Sequence, residues 1–382
     1  MNKYLHLILI LISILYLLSG CNKTPSVQPS GKSVKIGIIA PLSGDHLYKG
    51  KEGLKGINYV LENTPLLQNG DKIEIVIKDD NNNPSLSAKA LEELVSKHNV
   101  SAILTLSGSN AVLGLANNAD TFKTPIISLL ATHPGITRGN NYVSQLGFND
   151  HFQGLASALF VHDELLFDRV AIFKNSKNVY STSLANTFKQ KFESVRGQVI
   201  HYGEFIDNPT KLNKKLIELR NKKVQLIYLP INAKEVIEII TALDELNWRP
   251  KIMGSDGLLS NILTKYHEDI HKLDGMISTD FYSSDIPLTE FGVKTKQNYE
   301  SSQGNLTSYS MMGVEGMTLL RNAINHCVAS ITTKCIHEQI NSGIAFNGFI
   351  GKINLNPDGV AQRALLVNEI DNGQLKYIVQ IY

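Results

Sequence analysis

The sequence predicts an α/β protein built from mostly parallel sheets with helices on both faces. Short apolar runs alternate with stretches of helical periodicity along most of the chain, the pattern of repeated strand–helix units. Hydrophobic residues make up 43% of the 382 residues, and this length is enough for two lobes with separate cores. The net charge of +2 gives no reason to expect a nucleic-acid partner.

The alternation begins at 35–40, KIGIIA, an apolar run that reads as a buried strand and ends at the PLSG loop. Further strands are predicted at 72–78, 100–106, 125–130, 170–173, 199–205, 224–229 and 251–253. Helices are predicted at 51–61, 84–98, 110–121, 183–195, 211–221, 233–246 and 310–324. The tail carries short hairpin strands at 351–355, 364–369 and 377–381, with turn residues between them. In such sheets ligands bind where loops leave the carboxyl ends of strands.

The N-terminus predicts export. The uncharged apolar run at 7–18 is shorter than the roughly 20 residues that span a bilayer, and it suits the core of a signal peptide. It ends in Leu18-Ser19-Gly20-Cys21, and small residues before a cysteine predict a lipoprotein signal at 1–21 with Cys21 lipidated. A plain signal peptide or a buried strand is the alternative. Asn22 favours the outer membrane over the inner, and 22–33 reads as a flexible tether.

Two further cysteines, Cys327 and Cys335, lie close together in the sequence. In an oxidising compartment such a pair favours a local disulfide, with free thiols as the alternative. His326 and His337 flank the pair, but the spacing fits no familiar four-ligand zinc pattern, so no metal is predicted.

One motif raises an enzymatic alternative. His267, Glu268 and His271 match H-E-x-x-H, in which two histidines one helical turn apart hold zinc beside a glutamate base. No third ligand follows at a usual spacing, and a charged surface turn is the other interpretation. The chain also lacks G-x-S-x-G and S-x-x-K, so we predict no catalytic residue, no cofactor and no enzyme activity.

The order of several motifs resembles the type I periplasmic binding proteins, especially the leucine/isoleucine/valine-binding branch. The motifs are the opening KIGIIAPLSG with its following helix, Asp79-Asp80 with Pro84, LSGS at 106–109, PIIS with Ala131-Thr132, and MGSDG at 253–257. The resemblance runs from about residue 34 to the C-terminus.

This resemblance implies two lobes joined by three crossings, with lobe one at 34–149 and 280–357 and lobe two at 150–279 and 358–382. The ligand would bind in the cleft and be buried by a hinge motion. Many members also carry a local disulfide near the position of Cys327 and Cys335, which supports that bridge.

The resemblance also implies a set of ligand-binding residues. The loop Gly108-Ser109-Asn110 at a helix N-terminus would hold a ligand carboxylate with the hydroxyl of Thr132, although these residues could instead cap the helix. Asp256 would pair with a ligand ammonium, an Asp-Gly turn being the alternative.

The resemblance also implies that Tyr48 and Tyr180 occupy aromatic positions that line the cleft, the latter one residue out of register; an ordinary half-buried surface tyrosine is the alternative for either. Two positions depart from the relatives: Asn232 replaces a second cleft tyrosine, and Leu130 stands where relatives keep a small residue. Both departures reshape the predicted pocket.

Together these observations predict a lipid-anchored, non-enzymatic protein that captures an amino acid or similar carboxylate for an ABC transporter permease. Its contact with the membrane would be through the lipid anchor only. A lipoprotein of the same fold that regulates a cell-wall synthase is the alternative, and a zinc peptidase using His267 and His271 is the second.

Overall fold

The computed structural model describes residues 27–265, 267–343 and 345–382, apart from the side chains of 260, 263–265 and 267–269. The predicted signal and Cys21 lie outside the described residues. The strands are β1 Ser33–Ala40, β2 Lys72–Asp79, β3 Ala102–Thr105, β4 Ile126–Ser128, β5 Val143–Gln145, β6 Arg169–Lys174, β7 Gln198–Glu204, β8 Leu226–Tyr228, β9 Lys251–Gly254, β10 Ile277–Asp280, β11 Phe346–Asn347, β12 Lys352–Leu355, β13 Ala361–Gln362, β14 Leu365–Asp371 and β15 Gln374–Ile381.

The helices are α1 Leu47–Asn63, α2 Pro84–Ser96, α3 Ser109–Phe122, α4 Asp150–Leu159, α5 Val179–Ser194, α6 Pro209–Asn221, α7 Ala233–Glu245, α8 Leu258–Lys265, α9 Glu290–Gln303, α10 Ser308–Asn325 and α11 Thr333–Ile340. A π-helical turn at Phe160–Glu164 extends α4, and His267–Leu273 forms a 3-10 helix. No helix in the described part of the chain has both the length and the apolar character of a membrane span.

Lobe one is built on a five-stranded parallel sheet with the order β2-β1-β3-β4-β5. Its central strands carry buried side chains on both faces, which explains why they read as continuous apolar runs. Ile38 points toward α1 and α10, whereas its neighbour Ile39 packs with residues of α2 and α3. This part of the fold confirms the predicted strand–helix alternation.

Two glycines let α1 and α10 touch backbone to backbone. A Cβ added at Gly56 would lie 2.0 Å from the carbonyl oxygen of Ser310, and one at Gly313 would lie 2.1 Å from the carbonyl oxygen of Gly53. Because no side chain fits there, these glycines serve helix packing.

Lobe two is built on a seven-stranded sheet with the order β15-β14-β10-β9-β8-β6-β7. The strands from β6 to β10 are parallel, and β14 and β15 add an antiparallel hairpin at one edge. A third, small antiparallel sheet joins β11, β12 and β13. The turns predicted at 357–359 and 371–373 separate the tail strands, as expected from their sequence.

The chain passes between the lobes after β5, after β10, and between β13 and β14. One side chain from each crossing meets at the pivot: the ring centroids of Phe148 and Phe281 are 4.4 Å apart, and the guanidinium of Arg363 lies 5.4 Å from the centroid of Phe281. Arg363 also forms a buried ion pair with Glu315 of α10 at 2.9 Å. The other oxygen of Glu315 accepts the N–H of Phe349 at 2.8 Å, so both oxygens of this buried carboxylate have partners.

Cys327 and Cys335 form a disulfide in the structure, with their Cα atoms 6.0 Å apart. It links the end of α10 to α11, where the ring of His337 stacks on Tyr142 of lobe one.

The H-E-x-x-H segment is a 3-10 helix rather than the α-helix that zinc proteases use. A 3-10 helix has three residues per turn, so the spacing of four between the two histidines of the motif does not match its period. The side chains of His267 and Glu268 lie outside the described part of the structure. Among the residues that the structure describes, no cluster of His, Cys, Asp and Glu could hold a metal ion.

Candidate ligand-binding site

A cavity of about 380 Å³ lies between the lobes, at the carboxyl ends of the strands of both sheets. It is lined by most of the predicted site residues: Gly108, Ser109, Asn110, Leu130, Thr132, Tyr180, Asn232 and Asp256. Tyr48 does not line this cavity; its ring packs edge-on against Tyr309 at 5.7 Å, and the next residue, Lys49, lines it instead. Larger concavities exist on the outside of each lobe, but this one is walled by both sheets.

Asp79, the last residue of β2, and Asp80, which follows it, shape the lobe-one wall. Asp79 accepts hydrogen bonds from the N–H groups of Leu42 and Asn81, both at 2.9 Å. Asp80 is fully buried and accepts the hydroxyl protons of Ser87 and Ser107. The acidic pair therefore holds the loops that follow β1, β2 and β3 in place. This structural role explains why Asp79-Asp80 stands out as a motif in the sequence.

The N-terminus of α3 faces the cavity without a side-chain cap. Its N-cap is Gly108, which has no side chain to accept the exposed N–H groups of the first turn. By contrast, helices elsewhere in the fold begin with Asn or Thr residues whose oxygens accept such N–H groups: Asn83, Asn149, Asn178, Asn208, Thr289, Thr307 and Thr332. The first turn of α3 thus offers unpaired donors and a positive dipole end.

Ser109 and Asn110 do not cap α3. The Oγ of Ser109 accepts the N–H groups of Thr132 and His133, each at 3.3 Å, and so ties α3 to the loop after β4. The carboxamide of Asn110 instead bonds to main-chain groups of Lys177 and Val179 in lobe two. The N–H of Gly108 is already donated to Asn82 Oδ1 at 2.6 Å, so the donors available to a ligand are those further along the first turn.

The lobe-two wall opposite is acidic. The hydroxyl of Tyr180, at the start of α5, donates to Asp256, which lies in the loop after β9. Desolvation raises the pKa of Asp256, although the bond from Tyr180 and the positive charge of Lys49 act against this shift. The pKa of Tyr180 is raised well above its ordinary value by burial and by the neighbouring carboxylate, so Tyr180 is a neutral donor.

Asp150 is a second acid of this region, and sequence reasoning missed it. It is fully buried at the start of α4, and within the described residues its two carboxylate oxygens have no hydrogen-bond partner of good geometry. Burial raises its pKa well above the ordinary value, the negative charge of Asp256 adds to the shift, and the nearby hydroxyls of Thr132 and Ser183 lower it only in part.

The region around Asp150 contains further polar atoms without partners in the described structure. They are the hydroxyls of Thr132, Ser157 and Tyr228 and the side-chain oxygen of Gln153. Buried polar groups normally have hydrogen-bond partners, so such a cluster beside a cavity indicates a place for a polar guest. Tyr228 was predicted only as part of a strand; its hydroxyl lies at the carboxyl end of β8.

Comparison with known proteins identifies the class. The sequence model of the family described as "Periplasmic binding protein" matches residues 33–374, and the chain belongs to this family. A search of curated protein sequences finds no significant match.

Among solved structures, a leucine-binding protein, LivK, from Thermotoga maritima is 26% identical with a TM-score of 0.83, and the match covers 91% of this chain and 98% of that one. LivJ from Streptococcus pneumoniae, a branched-chain amino acid transporter substrate-binding protein in complex with isoleucine, is 20% identical with a TM-score of 0.81, covering 92% and 100%. An ABC transporter solute-binding protein from Rhodopseudomonas palustris, in complex with 3,4-dihydroxybenzoic acid, is 18% identical with a TM-score of 0.79, covering 91% and 96%. These likenesses confirm the two-lobed type I fold expected from the sequence.

Proposed function

We propose that this protein is the solute-binding component of an ABC transporter and that its ligand is a small zwitterion carrying an ammonium and a carboxylate. The observation that carries the proposal is the polarity across one cavity: the uncapped first turn of α3 lies on one wall, and Asp256 with Tyr180 lies on the other. A zwitterion satisfies both walls at once, because each buried charge then meets its opposite.

Asp150 strengthens the case for the ammonium. Two nearby buried carboxylates repel each other, and a cation between or beside them relieves both the repulsion and the missing hydrogen bonds. The relative described as a leucine-binding protein and the relative bound to isoleucine are consistent with such a ligand, whereas the relative bound to 3,4-dihydroxybenzoic acid has a ligand without an amine. The acidic wall favours the amino-acid class for this chain.

Thermal-shift screening of the lipid-free protein tests this proposal with matched ligand pairs. Each amino acid is compared with the carboxylic acid that lacks only its amino group, such as leucine and 4-methylpentanoate. A cognate amino acid at a hundred times its Kd should stabilise the fold by about 2.7 kcal/mol, and its deaminated partner should have little effect. Equal responses to both members of every pair would contradict the ammonium site.

The anchor and the partner complete the proposal. We propose that Cys21 carries the lipid and that the bridge between Cys327 and Cys335 forms after export. We also propose lobe boundaries near 149, 279 and 363; the last lies beyond the predicted 357 because β13 still pairs with β12 and Val360 bridges Gln145 of lobe one. Metabolic labelling with a fatty-acid analogue should mark the wild type but not Cys21→Ser. If no small solute stabilises the protein and a cell-wall synthase co-purifies with it, the regulatory role replaces transport.

A further inference from the structure

We propose that Asn110 is a latch between the lobes, whose carboxamide holds the closed arrangement instead of contacting the ligand. Asn110 lies in the first turn of α3, in lobe one. Its Nδ2 donates to the carbonyl oxygen of Lys177 at 3.1 Å, and its Oδ1 accepts the N–H of Val179 at 3.0 Å. Both partners are main-chain groups of lobe two: Lys177 lies in the loop between β6 and α5, and Val179 is the first residue of α5. The two polar ends of one side chain are therefore engaged across the cleft.

The loop that receives Asn110 is held in shape by bonds within lobe two. Asn175 Oδ1 accepts the N–H of Lys177 at 3.1 Å, and Asn178 Oδ1 accepts the N–H of Tyr180 at 3.0 Å. The Oγ of Ser181 accepts the N–H of Asn175 at 2.9 Å. The carbonyl and the N–H that meet Asn110 are therefore presented by a rigid turn, and little conformational entropy is lost when the latch forms.

The latch joins the two halves of the candidate site. Asn110 belongs to the helix turn proposed to hold the carboxylate, and Val179 immediately precedes Tyr180, the partner of Asp256. A second bond between the lobes ends at the same loop as Asp256: the hydroxyl of Tyr309 in α10 donates to the carbonyl oxygen of Gly257 at 2.9 Å. Both bonds form only when the walls of the cavity face each other, so they favour the geometry that encloses a guest.

This role predicts how Asn110 affects binding, a consequence that rests on the proposed function. A contact that exists only between closed lobes slows opening and leaves the encounter with the open cleft unchanged. Removing both hydrogen bonds should lower the ratio of closed to open protein about tenfold. The dissociation rate of a bound amino acid should rise by the same factor, with its association rate within about twofold.

The test measures closure in the ligand-free protein and so does not depend on the ligand's identity. A nitroxide is attached at Ser85→Cys on α2 of the lipid-free protein carrying Cys21→Ser, where the side chain of Ser85 is exposed and Cys327 and Cys335, joined in a disulfide, do not compete. Paramagnetic relaxation enhancement at lobe-two amides facing the cleft then reports the closed population, even when that population is minor, because the effect is dominated by close approach.

Three variants make the measurement decisive. Asn110→Ala should reduce the closed-to-open ratio about tenfold. Asn110→Asp should also reduce the closed-to-open ratio, because a carboxylate cannot donate to the carbonyl oxygen of Lys177. Its melting temperature should not fall, since an acid in the first turn of α3 suits the helix dipole. Asn208→Ala removes a cap of α6 in lobe two and should lower the melting temperature without changing the enhancement.

The proposal is overturned if Asn110→Ala leaves the enhancement unchanged, or if the wild type shows no enhancement at all. A latch that behaves as expected in a protein that binds no amino acid would leave the inference standing and reject the proposed function. An amino-acid ligand with an unaltered closed population in Asn110→Ala would reject the latch and leave the proposed function standing.

Discussion

The two walls of the cavity attract charge by different means. The lobe-one wall uses main-chain N–H groups at the uncapped start of α3, whereas the lobe-two side uses ionisable side chains, Asp256 and the buried Asp150. A backbone site does not titrate and cannot be deleted by substitution, only blocked. An acidic site is strong but depends on pH and is costly to bury when no cation is present. Substitutions in the two walls should therefore weaken ligand binding in different ways.

The largest effect is expected when the charge of Asp256 is removed. Asp256→Asn keeps the shape and an acceptor for Tyr180 but loses the pairing with an ammonium, so affinity for the amino acid found by screening should fall by about 2–5 kcal/mol. Isothermal titration calorimetry measures the change. Asp207→Asn, at an exposed position of lobe two, is the matched control and should bind like the wild type. An unaltered affinity in Asp256→Asn would remove this residue from the site.

The second effect concerns Asp150 and stability without ligand. In the unfolded chain its pKa is about 3.9, and burial raises the folded value, so folding becomes less favourable as the pH rises through the interval between the two pKa values. Asp150→Asn removes this penalty. The variant should match the wild type near pH 4 and exceed it by about 1–3 kcal/mol at pH 7 in urea denaturation. A gain that is the same at both pH values would show that the charge is not its cause.

A smaller effect tests the lobe-one wall by blocking it. Gly108 has φ −79°, which any residue can adopt, so Gly108→Asp should place a carboxylate over the first turn of α3. This internal cap competes with the ligand carboxylate and should weaken binding by about 1–2 kcal/mol while the melting temperature is kept or raised.

Gly108→Ala separates the cap from its added bulk. A Cβ at this position would lie 3.1 Å from Asn82 Oδ1, so this variant carries the steric cost without the oxygen. Calorimetry on both variants should show a larger loss of ligand affinity in Gly108→Asp than in Gly108→Ala. Equal losses would mean that crowding, not competition for the N–H groups, weakens binding.

The smallest effect on either wall is expected from the disulfide. Replacing both Cys327 and Cys335 by serine should lower stability by about 2–4 kcal/mol, because the unfolded chain gains freedom. Affinity for the amino acid should stay within twofold, since the bridge joins α10 to α11 and does not line the cavity. A tenfold loss of affinity would show that lobe one communicates with the site through α11.

The fold was largely predictable because its strands are apolar runs between turn residues. Strands β5, β10, β11 and β13 and helices α4, α8, α9 and α11 escaped prediction, and β10 and α9 did so for opposite reasons. Strand β10 is entirely buried, yet Ser278 and Thr279 interrupt its apolar run, and α9 is so polar that its helical periodicity is weak. The antiparallel addition of β14 and β15 to the lobe-two sheet joins residues far apart in sequence, which no local pattern reports.

The candidate site was less predictable, because its members are defined by tertiary contacts. The motif LSGS and the position of Asp256 led to residues that do line the cavity. Asp150 follows Asn149 at the start of a helix, an ordinary place for an acid, and only its burial beside Asp256 makes it notable. At Tyr48 the predicted aromatic and the lining residue differ by one position, which on a helix is a rotation of about 100°.

The late placement of β14, β15 and α10 bears on how the chain reaches its native state. Synthesis delivers the inner strands of both sheets first, but α10 covers lobe one and 365–381 complete the sheet of lobe two. Neither lobe is therefore a continuous piece of sequence that can be cut out and expressed alone. An emerging chain therefore keeps apolar surface of both lobes uncovered until its final segments arrive.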